Sequence, residues 1–486
     1  MLLARVAERG LGLVSLLILA RVLVPADFGL VAMAMSVIVF VELASTFGFD
    51  LALIQREHLT REHYDTAWTL QIAFGLLCAA LIAALAYPSA WFYDEPRIIP
   101  VMLVLAASRG VQSFENIGTV DFRRRMDFSR EFRFSASKKI VGFVITVALA
   151  VAFRTYWALI AGVLAGRVAG LILSYTMQPY RPRFSLAARD DLLSFSTWVF
   201  VVGLASFASQ RSSHLVVGRL LGPAALGLYT VGSEIALLPS TDLIAPINRA
   251  VFPGFARMTS DPESMRSAFV DILGVIWILA LPASLGVAAL AEPLVLTLLG
   301  NKWQDAVVVV QVLALAGALH AATSNHYSAW LALGKTRVTA LIEGLHFVVL
   351  LPLVVLLSRP LGLAGVAYAE LAATVISVSV ECLMISRALG LPRLAYLKGL
   401  WRPLIAAATM AIAVAMLVAE LAAGALAARP LLQLAATIPA GVLTYASTLT
   451  MLWLLAGKPR GAESLLLERI LEISRAARPV WPRRYP

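Results

Sequence analysis

The chain of 486 residues is strongly apolar: 60% of its residues are hydrophobic, only 14% are charged, and the mean hydropathy is +0.83. Soluble domains carry about 25% charged residues, so this composition excludes a soluble globular protein and predicts a polytopic membrane protein. The net charge of +11 does not indicate a nucleic-acid partner, because the basic residues lie between apolar runs and not on one face of a folded domain.

Apolar runs predict an all-α protein with about fourteen transmembrane helices. The predicted spans are residues 4–24, 28–50, 67–88, 98–120, 138–153, 155–177, 193–217, 226–252, 268–290, 305–333, 338–358, 362–385, 403–427 and 431–455. Lysine and arginine are unequally distributed: 29 lie in segments on the side of the N-terminus and seven in the opposite turns. By the positive-inside rule, both termini are predicted to be cytoplasmic.

A ten-residue motif occurs twice, at an offset of 198 residues. It reads RVLVPADFGL over residues 21–30 and RLLGPAALGL over residues 219–228. A proline with a glycine four residues later is typical of a tight turn, and the arginine can reach lipid head groups, so each copy predicts a helical hairpin. Six predicted spans separate the copies, which indicates a parallel duplication of two six-helix lobes around a central cavity.

The predicted organisation follows from this duplication. Residues 1–190 form an N-lobe with helices 1–6, residues 191–400 form a C-lobe with helices 7–12, and residues 401–457 supply helices 13 and 14. Residues 458–486 form a basic cytoplasmic tail, in which Leu466, Ile470 and Ile473 share one helical face. This pattern is typical of an amphipathic helix that lies on the membrane surface.

Polar side chains inside the predicted spans are the candidate functional residues, because burying them in a membrane is costly and they usually face a bundle interior or a hydrated cavity. Arg109, Gln112 and Asn116 follow one helical stripe of the fourth span. Further candidates are spread over both lobes: Arg167, Arg211, Glu234, Asp242, Arg249, His320, Thr323, Ser324, Tyr327, Glu370, Thr374, Ser377 and Glu381.

One interpretation of these residues is a central hydrated cavity. Its arginines would bind an anionic head group, since guanidinium groups bind phosphate oxygens in a bidentate way, and its carboxylates would take up a proton or a sodium ion. The alternative is that the charges pair across helices, or snorkel to the interface, and only hold the bundle together. The loop that contains His58 and His63 is interpreted as solvated rather than as a metal site.

Several short motifs together are specific. They are LARVLVPADFGL at 19–30, ALIQR at 52–56, RRMDF at 124–128, GRLLGPAALGLY at 218–229 and GNKW at 300–303. Their order and spacing resemble the Wzx-like flippases, the polysaccharide-transport branch of the multidrug/oligosaccharidyl-lipid/polysaccharide (MOP) exporter superfamily. The resemblance extends from about Leu17 to the end of the twelfth span. It departs from the family pattern at Ser213, where many relatives have an acidic residue, so a charge role at that position is not carried over.

The resemblance implies two six-helix lobes that form a V-shaped cavity, with two additional helices. It also implies movement of undecaprenyl-diphosphate-linked sugar units from the cytoplasmic to the outer leaflet of the bacterial inner membrane, coupled to a proton or sodium gradient. The expected products are exopolysaccharide, capsule or O-antigen. Polysaccharide polymerase and assembly proteins are candidate partners beside the membrane lipids, and no cofactor is expected.

We therefore expect a transporter and not an enzyme. The expected substrate-binding residues are Arg109, Gln112, Asn116, Arg167, Arg211 and Arg249, and the candidates for ion coupling are Glu234, Asp242 and Glu370. The alternatives are a drug or cation antiporter of the same superfamily, a lipid II flippase, and a membrane polysaccharide polymerase or ligase. The last is disfavoured because the sequence predicts no long external loop for catalytic groups. The sequence specifies neither the sugar unit nor the oligomeric state.

Overall fold

The structure, a computed structural model, describes residues 2–44, 53–54, 59–189, 197–392, 394–424, 429–459 and 461–466. Side chains within these ranges are described except at residues 2–8, 43–44, 197–210, 242, 245–246, 249–250, 252, 336 and 394–398. The described residues form helices and contain no strand, which confirms the predicted all-α class. The chain divides into two compact units: unit 1 comprises Met1–Val231 and Leu298–Trp303, and unit 2 comprises Gly232–Thr297 and Gln304–Pro486. The predicted division into lobes at residue 190 remains a prediction.

Unit 1 contains eight complete helices and the first part of a ninth among its described residues. These are α1 (Leu2–Val22), α2 (Pro25–Ala44), α3 (Arg61–Ala84), α4 (Ala86–Tyr93), α5 (Ile98–Ser113), α6 (Val120–Arg124), α7 (Phe128–Phe153), α8 (Trp157–Met177) and the beginning of α9 (Thr197–Asp242). Helix α5 packs on both α3 and α8, and α7 packs along α8. A Cβ atom at Gly142 would lie 3.0 Å from the carbonyl oxygen of Gly162, so small residues allow α7 and α8 to approach closely.

Unit 2 contains the remainder of α9 and seven further helices among its described residues. These are α10 (Ala245–Arg257), α11 (Pro262–Ala289), α12 (Ala291–Leu298), α13 (Val307–Ala332), α14 (Thr336–Leu389), α15 (Leu394–Ala423) and α16 (Pro430–Leu455). Helix α13 packs on α10, α11 and α14, and α15 packs on α11 and α16. The centre of this unit is aromatic and dry, with Phe269, Trp277 and Trp330 all buried.

The helices are those of a multi-pass membrane protein. Ten helices in the described ranges are long and apolar enough to cross a membrane, and the bent pair Ile98–Ser113 and Ile117–Arg124 would make an eleventh. Two long helices, α9 and α14, each contain a glycine with non-helical backbone angles, Gly222 and Gly362, and therefore consist of two stretches. Only 6% of the residues in the most apolar part of α16 are buried, as expected of a helix that faces lipid. These helices are consistent with fourteen crossings, a number that remains a prediction.

The fourth predicted span, 98–120, is not one continuous helix. Helix α5 ends at Ser113, a short 3-10 helix occupies Ile117–Thr119, and the two parts are bent by 70°. The amide of Gln71 on α3 donates to the carbonyl oxygens of Ser113 and Glu115, at 3.0 Å each. This side chain satisfies carbonyl groups that the interrupted helix leaves without partners, and it thereby stabilises the break.

The eighth predicted span, 226–252, is also divided. Helix α9 ends at Asp242, and α10 begins at Ala245 with Pro246 in its first turn. Proline is tolerated at this position because the first helical N–H groups have no intrahelical acceptor. Pro246 therefore begins a helix, whereas the sequence had suggested that it bends one.

The two copies of the repeated motif pack against each other within unit 1. The glycines of the two copies, Gly29 and Gly227, lie inside α2 and α9, at the contact between the copies, and not in turns as predicted. A Cβ atom added to Gly29 would overlap the carbonyl oxygen of Pro223, and one added to Gly227 would overlap that of Pro25. The contact is thus reciprocal, and the glycines allow two helix backbones to touch.

The neighbouring residues of the motif also serve this contact region. The indole nitrogen of Trp303 donates to the carbonyl oxygen of Ala20 at 2.9 Å, and its ring packs edge-on against Phe28 with 5.3 Å between ring centres. The guanidinium of Arg21 donates to the carbonyl oxygen of Leu298 at 3.2 Å while remaining exposed. The conserved spacing of the motif in the two halves therefore has a packing role in addition to its predicted membrane-surface role.

The beginning of the predicted tail is attached to unit 2. Glu463 forms two hydrogen bonds with the guanidinium of Arg402 on α15, at 2.7 and 3.1 Å. Both side chains are largely buried, at 11% exposure for Arg402 and 9% for Glu463. The predicted amphipathic face at Leu466, Ile470 and Ile473 lies almost entirely outside the described residues.

Candidate functional site

A cluster of charged residues in unit 1 brings together two of the predicted arginines. Glu42 on α2 lies between Arg109 on α5 and Arg167 on α8, and one carboxylate oxygen is 3.6 Å from Nε of Arg109 and 3.5 Å from a terminal nitrogen of Arg167. The three side chains are only partly exposed, at 32%, 21% and 17% respectively. Two guanidinium groups therefore share one carboxylate, and the cluster has an excess of positive charge. We call these three residues the arginine cluster.

The arginine cluster is positioned by further hydrogen bonds. A terminal nitrogen of Arg109 donates to the amide oxygen of Gln112 one turn along α5, at 3.2 Å. A terminal nitrogen of Arg167 donates to the hydroxyl of Ser108 at 3.0 Å, which ties α8 to α5. The Nε atom of Arg109 is buried and has no hydrogen-bond partner among the described residues. The cluster thus retains donor capacity, since a guanidinium group carries five N–H donors.

A cavity of about 530 Å³ adjoins the cluster within unit 1. Its walls are mostly apolar and come from α1, α2, α5, α7 and α8, with Leu11, Leu19 and Val31 among them. Its polar lining consists mainly of Gln112, Glu115, Lys138, Lys139 and Arg167. Lys138 and Glu115 form an ion pair at 3.5 Å, so part of the basic charge at the cavity is balanced. Chemically, such a site can hold an anionic group beside an apolar chain.

Asn116 does not continue the stripe of Arg109 and Gln112, because the helix has already ended. Its side-chain oxygen accepts from the N–H of Gly118 at 3.0 Å, and its amide donates to the carbonyl oxygen of Tyr180 at 2.6 Å. The residue is 1% exposed. Asn116 is therefore occupied in joining two loops of unit 1, and we omit it from the site proposed below.

A second cluster lies in unit 2 and includes the predicted Glu370. Nε2 of His346 is 3.3 Å from Oε1 of Glu370, and Nδ1 of His326 is 3.6 Å from Oε1 of Glu381. His346 is 9% exposed and His326 is fully buried. We call these two pairs the histidine–glutamate pairs. They join α13 to the second stretch of α14 and the two stretches of α14 to each other.

The remaining predicted residues lie apart from both clusters. Arg211 is half-buried on α9 in unit 1 and forms no ion pair with any side chain that the structure describes. Glu234 is exposed on the part of α9 that belongs to unit 2. Asp242 and Arg249 are outside the residues whose side chains are described, so their predicted roles remain predictions.

Sequence reasoning missed four participants: Glu42, Glu115, His326 and His346. All four are ionisable and lie within predicted spans, and the criterion that selected Arg109 applies equally to them. In the loop interpreted as solvated, His63 instead accepts a hydrogen bond from the backbone N–H of Thr60, at 3.3 Å, and caps α3. No group of three or more potential metal ligands is found among the described residues.

Comparison with known proteins places the fold and the site in context. Residues 18–308 match the sequence profile of a family described as polysaccharide biosynthesis protein. The succinoglycan biosynthesis transport protein ExoT of Rhizobium meliloti (strain 1021) is 28% identical over 98% of this chain and 94% of its own length. The lipopolysaccharide biosynthesis protein WzxC of Escherichia coli (strain K12) is 25% identical over 81% of each chain. The solved structure of lipid II flippase MurJ, in an inward closed conformation, has the same fold, with a TM-score of 0.74 at 15% identity over 93% of this chain and 98% of that one.

Proposed function

The chain belongs to the polysaccharide biosynthesis protein family, and on that premise we propose that it is a flippase for undecaprenyl-diphosphate-linked oligosaccharide units. It moves these units across the bacterial inner membrane for the synthesis of exopolysaccharide, capsule or O-antigen. The observation that carries the proposal is the similarity to a succinoglycan transport protein over nearly the whole of both chains. A polymerase, a ligase or a drug antiporter has no comparable support, since both curated relatives are named for polysaccharide or lipopolysaccharide biosynthesis.

The arginine cluster supports this function through its chemistry. A diphosphate offers several anionic oxygens, and guanidinium groups bind such oxygens through paired N–H donors. The single carboxylate of Glu42 cannot neutralise both arginines, and its two contacts of 3.5 and 3.6 Å are long for charge-assisted hydrogen bonds. An incoming diphosphate can therefore compete for Arg109 and Arg167, while Glu42 prevents two unpaired positive charges when the substrate is absent.

The adjoining cavity supports a substrate with both a charged and an apolar part. The lysines and Arg167 suit the phosphates, and the apolar walls suit the first isoprene units of the lipid. Gln112 keeps Arg109 directed and offers a polar contact to sugar hydroxyl groups. Arg211 and Arg249 remain candidate binding residues for acidic sugars.

Orientation and coupling complete the proposal. With both termini in the cytoplasm, substrate enters from the inner leaflet and is released to the outer one, where polysaccharide polymerase and assembly proteins would use it. Transport is coupled to a proton or sodium gradient by alternating access. Glu234, Asp242 and Glu370 are the candidate coupling residues, because each is an acidic residue within a predicted span.

The binding site is tested with Arg109→Gln and Arg167→Gln in a host from which the chromosomal gene is deleted. We expect each variant to lower surface polysaccharide at least tenfold at an equal amount of protein in the membrane, because each removes a donor set for the diphosphate. Arg97→Gln is the matched control: this exposed arginine pairs with Glu95 at 2.8 Å, outside the arginine cluster. Full polysaccharide synthesis by both cluster variants would show that the site is wrongly assigned.

A further inference from the structure

His346 has hydrogen-bond acceptors at both of its ring nitrogens. Nδ1 lies 3.2 Å from the hydroxyl oxygen of Ser377, and Nε2 lies 3.3 Å from Oε1 of Glu370. The hydroxyl of Ser377 donates its own proton to the carbonyl oxygen of Thr374, at 3.2 Å, so its oxygen is left to accept. A neutral imidazole carries one N–H and can satisfy only one of these two acceptors. The geometry therefore requires one additional proton, shared between His346 and Glu370.

The second pair repeats this chemistry in a drier place. His326 is fully buried, and its ring stacks on Phe269 with 5.4 Å between ring centres. Its Nδ1 atom lies 3.6 Å from the carboxylate of Glu381. With a neutral histidine, such a pair carries one negative charge in apolar surroundings, and buried charges without a counter-charge are costly. One proton taken from water converts the pair into a compensated ion pair of zero net charge.

The surrounding helices contribute few other charges to these pairs. The ionisable groups that act on this region from α13 and α14 are His320, Glu343 and Cys382, and the rings of His320 and His346 are 6.2 Å apart. On α11, Arg266 donates to the carbonyl oxygen of Leu389 at the end of α14, and Asp271 is bonded to Ser267 of its own helix. Helix α10 carries Arg249, whose side chain is not described. Among the described residues, carboxylates and imidazoles thus dominate this part of unit 2.

These observations distinguish between the two candidate coupling ions. Sodium is a hard cation that is bound by several oxygen ligands, whereas here a ring nitrogen lies against each carboxylate. Imidazole is the side chain that gains and loses a proton most readily near neutral pH. We propose that the histidine–glutamate pairs form the proton-binding site of the transporter, and that the coupling ion is a proton. The proposal rests on the transport function proposed above, and it assigns His346 and His326 as the partners of Glu370 and Glu381.

Proton binding is measured directly on the full-length protein in lipid nanodiscs. Nitrogen-15 NMR of histidine-labelled protein reports the protonation of each ring as the pH is lowered from 8 to 5, and the His346 signal is assigned by its absence in His346→Gln. We expect His346 to take up a proton in this range. Removing one neighbouring charge, with Glu370→Gln, should weaken this proton binding at least tenfold. Glu95→Gln, which alters an exposed pair, should leave it unchanged. If His346 remains neutral throughout in the wild-type protein, the proposal is wrong.

Coupling is measured in proteoliposomes with a fluorophore-labelled undecaprenyl-diphosphate disaccharide, whose leaflet is read by a membrane-impermeant quencher. A pH gradient should accelerate flipping by the wild-type protein, a sodium gradient should not, and His346→Gln and Glu370→Gln should both lose the acceleration. Acceleration by sodium alone would overturn the proposal. A probe that is not flipped under any gradient, with His346 nevertheless protonating, would count against the proposed transport function for that lipid and leave the proton site standing.

Discussion

Gly29→Ala tests the contact between the two copies of the repeated motif. The new Cβ atom would lie 2.5 Å from the carbonyl carbon of Pro223 and would overlap the attached oxygen. Carbon atoms in ordinary contact are separated by about 3.5–4.0 Å, so the helices must separate by about 1 Å or more. Because the opposing atoms belong to the backbone, no side chain can rotate away to make room.

The magnitude follows from two opposing effects. Forcing an extra carbon into a close contact costs about 1–3 kcal/mol, and replacing a helical glycine by alanine gains about 1 kcal/mol. Gly12→Ala is the matched control, since a Cβ at this helical glycine has no neighbour within 4 Å and only the gain applies. We therefore expect Gly29→Ala to be less stable than Gly12→Ala by about 2–4 kcal/mol.

Thermal unfolding of the purified protein in detergent measures this difference. Gly227→Ala should behave like Gly29→Ala, because its Cβ would lie 2.7 Å from the carbonyl carbon of Pro25 across the same contact. The double variant should cost less than the sum of the single ones, since one separation of the helices accommodates both methyl groups. Equal melting temperatures for Gly29→Ala and Gly12→Ala would refute the reciprocal contact.

Three further variants test other parts of the structure by thermal unfolding. Glu42→Gln should lower stability by about 1–3 kcal/mol by leaving two arginines without a counter-charge, and adding Arg109→Gln should recover part of the loss; additive effects would contradict the shared carboxylate. Arg402→Ala should cost about 3 kcal/mol and expose the tail to limited proteolysis, because Glu463 then remains buried and unpaired; an unchanged proteolysis pattern would contradict this attachment. Tyr180→Phe removes a hydrogen bond to a carboxylate of α3 and should cost about 1–2 kcal/mol.

The Tyr180 variant also has a defined pH dependence. Burial, and secondly the hydrogen bond to Asp65, raise the pKa of Tyr180 above its ordinary value near 10. A group with a raised pKa in the folded state contributes stability that is complete below the ordinary pKa and is lost only as the pH rises through the folded value. The difference between wild type and Tyr180→Phe should therefore be constant from pH 6 to pH 9; a difference that disappears within that range would contradict the assignment.

Much of the architecture could be predicted from hydropathy because lipid permits few alternatives to the apolar helix. Proline and charge patterns located the starts of α2 and α10 within a few residues. The break after Ser113 could not be predicted, because no residue of the local sequence forbids a helix there. It depends on Gln71, which is distant in the sequence and reaches the freed carbonyl groups only in the folded chain.

The candidate site was predicted in part for the same reason. An arginine within an apolar span is conspicuous, so Arg109 and Arg167 could be selected from the sequence. Their common partner Glu42 shows no spacing relation to either, and only the packing of α2, α5 and α8 brings the three together. The role of Gly29 was misread because a proline followed by a glycine is typical of turns, whereas a contact between two helices leaves no local signal.

The most direct test of the proposed function is the leaflet in which the lipid-linked oligosaccharide accumulates when the gene is deleted. Mass spectrometry identifies the lipid-linked units, and a membrane-impermeant reagent applied to intact cells reports their exposure at the outer surface. The proposed function predicts that complete, unpolymerised units accumulate in the cytoplasmic leaflet and that the intact gene restores their export. Accumulation in the outer leaflet would contradict the proposal, because the missing step would then be polymerisation and not transport.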